Sequence, residues 1–119
     1  MKIEITTVNG KVISEIISDH VVVQNTQDAL NIMADSGYQG ASRIIMHEKN
    51  INPDFFDLKT RLAGDILQKF SNYRARLAIV GDFSKYSSKS LKDFIFESNK
   101  QGQINFVSTV EEAKERLSK

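Results

Sequence analysis

The stretch Arg76-Leu77-Ala78-Ile79-Val80-Gly81 decides the fold. Its centre is apolar without alternation and ends on glycine, the pattern of a strand covered on both faces. Arg43-Ile44-Ile45-Met46-His47 and Ile104 to Val107 read the same way. Between these runs lie helical patterns, and alternation of this kind implies right-handed crossovers between parallel strands. At the start, Lys2 to Thr7 and Val12 to Ile17 flank Val8-Asn9-Gly10-Lys11, whose Asn-Gly pair marks a two-residue hairpin turn. The expected architecture is α/β: a mixed sheet with an N-terminal β-hairpin followed by alternating helices and parallel strands. Val21 to Val23 reads as a further short strand.

Helix boundaries follow from caps. Asn25 with Asp28 opens the first helix, with Ala29, Leu30, Ile32 and Met33 inward and Gly37 as the stop. The next helix is expected to be the longest. Asn52-Pro53-Asp54 supplies its start, and Phe55, Leu58, Leu62, Ile66 and Phe70 recur at helical spacing, widened by Phe56, Ala63 and Leu67. Gly64 inside it is expected to pack closely against a neighbour. Ser87, Ser88 or Ser90 caps a third helix carrying Leu91, Phe94 and Ile95 and stopped at Gly102. Ser108-Thr109-Val110-Glu111 reads as a capping box for a short last helix, with Val110, Ala113 and Leu117 inward.

Composition bounds the function. The 119 residues fit one domain, read as residues 1–119 without repeat or linker. Lys and Arg total 16 against 15 Asp and Glu, a net charge of +1, so a nucleic-acid partner is not expected. There is no cysteine, which removes disulfides, thiolate metal sites and cysteine nucleophiles. No apolar run is long enough to cross a bilayer, and the first residues are no signal peptide. Cytoplasmic location is the expectation.

Three segments resemble a bacterial family known only as a domain of unknown function, family 4180. They are His47-Glu48-Lys49-Asn50-Ile51, Pro53-Asp54-Phe55-Phe56-Asp57-Leu58-Lys59-Thr60 and Gly81-Asp82-Phe83-Ser84-Lys85-Tyr86. More broadly, the element order and the stretch from Arg76 through Ala113 resemble a STAS domain, the anti-sigma-factor-antagonist type. That resemblance implies a STAS-like fold and a non-enzymatic regulatory or protein-interaction role. Antagonist-type STAS proteins carry a phosphorylatable serine in the loop entering the second long helix. Here Asn50 to Asp57 contains no serine or threonine, and Thr60 is the nearest hydroxyl.

In sheets with parallel strands, ligands gather at the strands' carboxyl ends. Two such ends are rich in chemistry: His47-Glu48-Lys49-Asn50 and Gly81-Asp82-Phe83-Ser84-Lys85-Tyr86. Beside them lie Asp54, Phe55, Phe56, Asp57 and Arg61. His47 can serve as acid, base or ligand, or be a hydrogen-bonded strand-end histidine; His20 reads as surface. His47, Glu48, Asp54 and Asp57 could be proposed as metal ligands, but their spacing matches no known pattern. Ser84 with Asp82 lacks the Gly-x-Ser-x-Gly elbow of a strained nucleophile. Lys85, Ser87, Ser88, Lys89 and Ser90 could hold a phosphate or simply form a solvated cap. No nucleotide-binding glycine loop is present, so no cofactor is indicated. Asp54 and Asp57 suit a helix start, with Asp57 expected to pair with Arg61. One of Phe55 and Phe56 is expected at the surface as a partner anchor, unless the apolar face is broad enough to bury both. The candidate partners are a protein or a small ligand, the latter held at the His47/Asp82 rim by a binding module or a small enzyme.

Overall fold

The computed structural model describes residues 1–119. Strands β1 (Lys2–Val8) and β2 (Lys11–Ile17) form the expected hairpin. Asn9 and Gly10 both take positive φ, 53° and 76°, as a primed turn demands. After helix α1 (Thr26–Tyr38) come β3 (Arg43–His47), α2 (Leu62–Asn72), β4 (Arg76–Val80), α3 (Lys89–Gln101), β5 (Ile104–Val107) and α4 (Val110–Leu117). The five strands lie in the order β1-β2-β3-β4-β5. β1 pairs antiparallel with β2, and β2 to β5 are parallel neighbours.

This sequential order has a consequence for the layers. Crossovers of one hand that all step in the same direction place their helices on the same face. The larger core cluster accordingly joins Ala29 and Ile32 of α1, Ile66 and Phe70 of α2 and Leu91 of α3 to Ile44, Leu77, Ile79 and Phe106 of the sheet. α4 alone covers the other face, where Ala113 and Leu117 pack on Ile13, Ile45, Ala78 and Val107. The parallel strands are therefore buried on both faces, as their unbroken apolar runs require.

Several local expectations are corrected. The helix expected from Asn52 onward is broken: Pro53–Phe56 and Leu58–Thr60 are short 3-10 turns, and α2 begins only at Leu62. Asn52 accepts from the Asp54 N–H, and Asp57 from the Lys59 N–H, so local side-chain bonds displace the α-helical ladder. Arg61 then takes a left-handed φ of 67°. α2 has 11 residues, whereas α1 and α3 have 13 each, so it is not the longest helix. Gly64 is exposed, and a Cβ there would meet nothing within 4 Å, so close packing does not explain it. Gly37 lies inside α1; Gly40, at φ 86°, makes the left-handed turn after it. Leu30 and Met33 are only half-buried, and Ser36 is buried instead, donated to by Ser14 Oγ at 2.9 Å. Val21 to Val23 forms only an isolated bridge, Val23 to Ile51. The last capping box sits one residue later than expected. Thr109 Oγ1 accepts from the Glu112 N–H, and Glu112 accepts from the Ser108 N–H.

Candidate functional site

The loops after β3 and β4 meet around one carboxylate. Glu48 follows His47 directly, and its side chain is 13% exposed. Tyr86 donates its phenolic hydrogen to Glu48 Oε2. Lys85 Nζ stands 2.8 Å from the same oxygen. Room for this carboxylate comes from Gly81, which has no side chain to occupy the space against Glu48. Burial, then the Glu48 hydrogen bond and charge, push the Tyr86 phenol well above the usual tyrosine range, so it remains a donor.

Tyr86 is held from the other side by aromatic packing. Its ring stacks on Phe56 at 5.1 Å between centroids. Phe56 meets Phe55 edge-on at 5.0 Å, and Phe83 bridges Phe56 to Phe106. This chain of rings ties the rim to the main core. It also settles the two adjacent phenylalanines: Phe55 is 1% and Phe56 6% exposed. In the 3-10 turn of Pro53–Phe56 both rings turn inward, so neither is the surface anchor that an extended helix would have left outside.

The other rim groups are paired locally. Asp82 accepts from Ser84 Oγ at 2.6 Å and from the Ser84 N–H at 3.0 Å. These bonds, the hydroxyl first, hold the Asp82 carboxyl below its ordinary range. Asp57 is exposed and caps Lys59 rather than pairing with Arg61. Asp54 is exposed, and its backbone carbonyl accepts from Thr60 Oγ1 at 2.6 Å. The same hydroxyl reaches the Asp57 carbonyl at 2.8 Å. Ser88 caps α3 by accepting from the Leu91 N–H, and Lys89 pairs with Asp93, so the serine-rich loop builds a helix start.

His47 does not join this group. Its Nε2 lies 2.9 Å from Glu15 Oε2 on β2. His47 is in register with Val80, which packs on the α4 side, while Tyr86, the partner of Glu48, packs on the opposite side. Two consecutive residues thus diverge to different faces of the sheet. The pairing of His47 with Glu48 or Asp82 that adjacent strand ends suggested is replaced by Glu15. No three His, Asp or Glu side chains gather in a way that could hold a metal ion.

What remains open at the rim is a hollow of about 250 Å³. Its apolar lining is Val21, Ile51, Pro53 and Phe56, and its polar lining is Glu48, Lys49, Lys85 and Tyr86. A larger groove of about 480 Å³, lined by Leu30, Met33, Ala34 and Tyr73 among others, lies at the opposite strand ends, by Ala41 and Ala75. The β4 loop from Gly81 to Tyr86 stands out in the sequence as a strand end; that Gly81 makes room for Glu48 and that Tyr86 holds it does not. Asn50 lies within the strand-end segment that the sequence points to, but its fastening role is not visible there. It is fully buried, and its amide donates to the Ser18 and His20 carbonyls at 2.8 Å each, fastening the chain before α1 to the rim. An asparagine just after a strand end is its one signal in the sequence.

The fold and site define a small α/β domain whose parallel-strand rim is built from mutually paired polar side chains over an aromatic base. The chain belongs to the family described as Domain of unknown function (DUF4180), which it matches over residues 8–117. No curated protein and no solved structure matches it. No helix is long and apolar enough to cross a membrane.

Proposed function

We propose that this is a non-enzymatic, STAS-like interaction module whose recognition surface is the rim around Glu48 and the exposed segment Asp54 to Arg61. One observation carries the reading: the groups that could do chemistry are satisfied by each other. Glu48 is held by Tyr86 and Lys85, Asp82 by Ser84, and His47 by Glu15. A nucleophilic site chains a hydroxyl to a base and that base to a third group; here no hydroxyl bonds His47, and no bond joins the Ser84–Asp82 pair to it. A rim whose polar groups lock its loops instead presents a fixed shape. On that shape Asp54, Lys59 and Arg61 are exposed and make no side-chain hydrogen bond or ion pair within the chain. Such free charges steer a partner and set its orientation.

The STAS resemblance places a regulatory switch near this segment. Thr60 is its only hydroxyl, and that hydroxyl is bonded to two carbonyls. Recognition here therefore uses standing charge rather than a phosphorylation step. The test is capture of partners on immobilised wild type and on a triple variant, Asp54→Lys, Lys59→Glu and Arg61→Glu, with Tyr38→Ala as a control at another surface. A partner held by wild type and Tyr38→Ala but lost by the triple variant supports the reading. Equal capture by all three folded proteins defeats it.

A second reading rests on the hollow itself. Its 250 Å³ falls below the roughly 300–1,000 Å³ of most ligand pockets, so it would suit a fragment-sized ligand. Fragment binding followed by amide shifts at Lys49, Phe56 and Tyr86 would favour it.

A further inference from the structure

The sheet has one closed edge and one open edge. At the closed edge all four residues of β5 are buried. At the other, β1 offers seven residues without proline, four of them exposed. Its outward backbone groups can be assigned. In a hairpin closed by a two-residue turn, the flanking pair, here Val8 and Lys11, exchanges both N–H···O bonds. Alternate residues Thr6, Glu4 and Lys2 then also bond to β2. Ile3, Ile5 and Thr7 turn their N–H and C=O groups outward. In the same strand Ile5 leaves 40% of its surface exposed. An unpaired row of this kind, with an apolar side chain at its middle, is a template for another strand.

We propose that the occupant is β1 of a second copy of this chain, antiparallel, with the two-fold axis at Ile5. Of the antiparallel registers, this one alone pairs β1 over its full length, Lys2–Val8. Centred on Ile5, the strand overlaps along its whole length. Ile5 meets its twin, Ile3 faces Thr7, Glu4 faces Thr6, and Lys2 faces Val8, so no charge meets a like charge. All three outward residues complete their backbone bonds. An axis at Glu4 sets two carboxylates directly opposite each other, which is destabilising. An axis at Ile3 pairs nothing beyond Ile5 and leaves the Thr7 groups bare. Lys2 and Glu4 are the charges that guard many edge strands. Here they neutralise each other within the strand at 3.1 Å and are spared any like-charged partner. The union joins two five-stranded sheets into one continuous sheet, and it stands independently of the rim.

The experiment is sedimentation of the full chain over a range of concentrations. The expected species has twice the 13.4 kDa mass of one chain. Ile5→Lys places two ammonium groups on the axis, and this variant is expected to sediment at one chain's mass with an unchanged circular dichroism spectrum. A second variant guards against misfolding. The chain has no cysteine, so oxidised Ile5→Cys can link only between copies. Paired residues of this type stand about 5.5 Å apart at Cα, within the span a disulfide bridges. Ile5→Cys is expected to cross-link much faster than Thr7→Cys, which faces Ile3 instead. A wild type that stays at one chain's mass throughout overturns the proposal. So does a dimer that survives Ile5→Lys, or one in which Thr7→Cys links as fast as Ile5→Cys.

Discussion

Gly81 lies directly against Glu48: a Cβ at position 81 would stand 2.6 Å from Glu48 Oε1 and 2.7 Å from its Cβ. Neither contact is one that atoms tolerate, and the Glu48 Cβ is not a flexible tip. Gly81→Ala must therefore push the carboxylate away from Tyr86 and Lys85. The expected cost is about 1–3 kcal/mol, combining overpacking with a lost charge-assisted hydrogen bond. Denaturant unfolding measures it, and a midpoint equal to wild type would show that Glu48 moves freely. The hollow beside Tyr86 should change shape as well.

The Tyr86 phenol gives a spectroscopic test of the same contact. The chain has three tyrosines and no tryptophan. Tyr38 is 96% and Tyr73 66% exposed, while Tyr86 is held protonated by burial and by Glu48. Absorbance titration should show the Tyr86 phenol resisting ionisation until well above the ordinary tyrosine value of about 10. The sign for stability follows. A raised folded-state value means that the native protein keeps a proton the unfolded chain has lost. The Tyr86 contribution is thus fully present below about pH 10 and is lost as pH rises from there through the folded value. Tyr86→Phe should remove that part of the alkaline slope. Tyr86 ionising at the ordinary tyrosine value would contradict the contact.

Gly64 calls for the opposite sign from Gly81. It lies inside α2 with open space where a side chain would go. Gly64→Ala should stabilise the domain by roughly 0.5–1 kcal/mol, through helix propensity and a less disordered unfolded chain. Thermal unfolding checks it, and a lower midpoint would mean that the glycine has a role outside the helix. The two glycines look alike in sequence. One is required by a neighbour that arrives from another loop, and only the folded chain reveals which.

The same distinction explains what sequence reading recovered. The strands at Arg43, Arg76 and Ile104 announce themselves by apolar runs, and their parallel pairing follows from the helices between them. Asn9-Gly10 and Asn25 are legible because each acts on its own few residues, and so is a cap among Ser87, Ser88 and Ser90. The break before α2 was not legible. The stripe Phe55, Leu58, Leu62 keeps helical spacing straight through it, and only the Asn52 and Asp57 side-chain bonds decide for 3-10 turns. At the site, strand ends pointed to the rim. The divergence of His47 from Glu48 depends on which face each loop approaches, and no local spacing encodes that.

Thr60 tests the broken segment directly. Its hydroxyl bonds the Asp54 and Asp57 carbonyls and so couples the two 3-10 turns. Thr60→Val keeps the shape and removes these two bonds together with the one that Thr60 Oγ1 accepts from the Leu62 N–H at 3.3 Å. Because the residue is exposed and water can replace part of the loss, the expected cost is about 1 kcal/mol. Hydrogen exchange should quicken locally from Asp54 to Leu62 and not in the sheet. Uniform quickening would place the effect elsewhere.

Asn50 offers the sharpest substitution. Its amide nitrogen donates to the Ser18 and His20 carbonyls, and its Oδ1 is buried without a partner. Its backbone carbonyl separately accepts from the Val22 and Val23 N–H groups, so a side-chain change leaves those bonds in place. Asn50→Ala should cost about 1–3 kcal/mol, since Ser18 and His20 lie near the surface and water can reach their carbonyls. Asn50→Asp is nearly the same size but turns two donors into acceptors facing two carbonyl oxygens. Ionised, it is a buried charge among like partial charges, and the expected loss at neutral pH is on the order of 3 kcal/mol or more. Burial should raise the new carboxyl's folded-state value above the unfolded value of about 3.9. The native protein would then hold a proton that the unfolded chain releases, so stability falls as pH rises through that window. The gap between the Asp and Ala variants should therefore narrow as pH is lowered toward 4. Denaturant unfolding of both variants at several pH values decides it. A gap that stays constant with pH would mean that the carboxylate escapes to water, and that Asn50 does not hold the segment before α1 to the rim as the native contacts require.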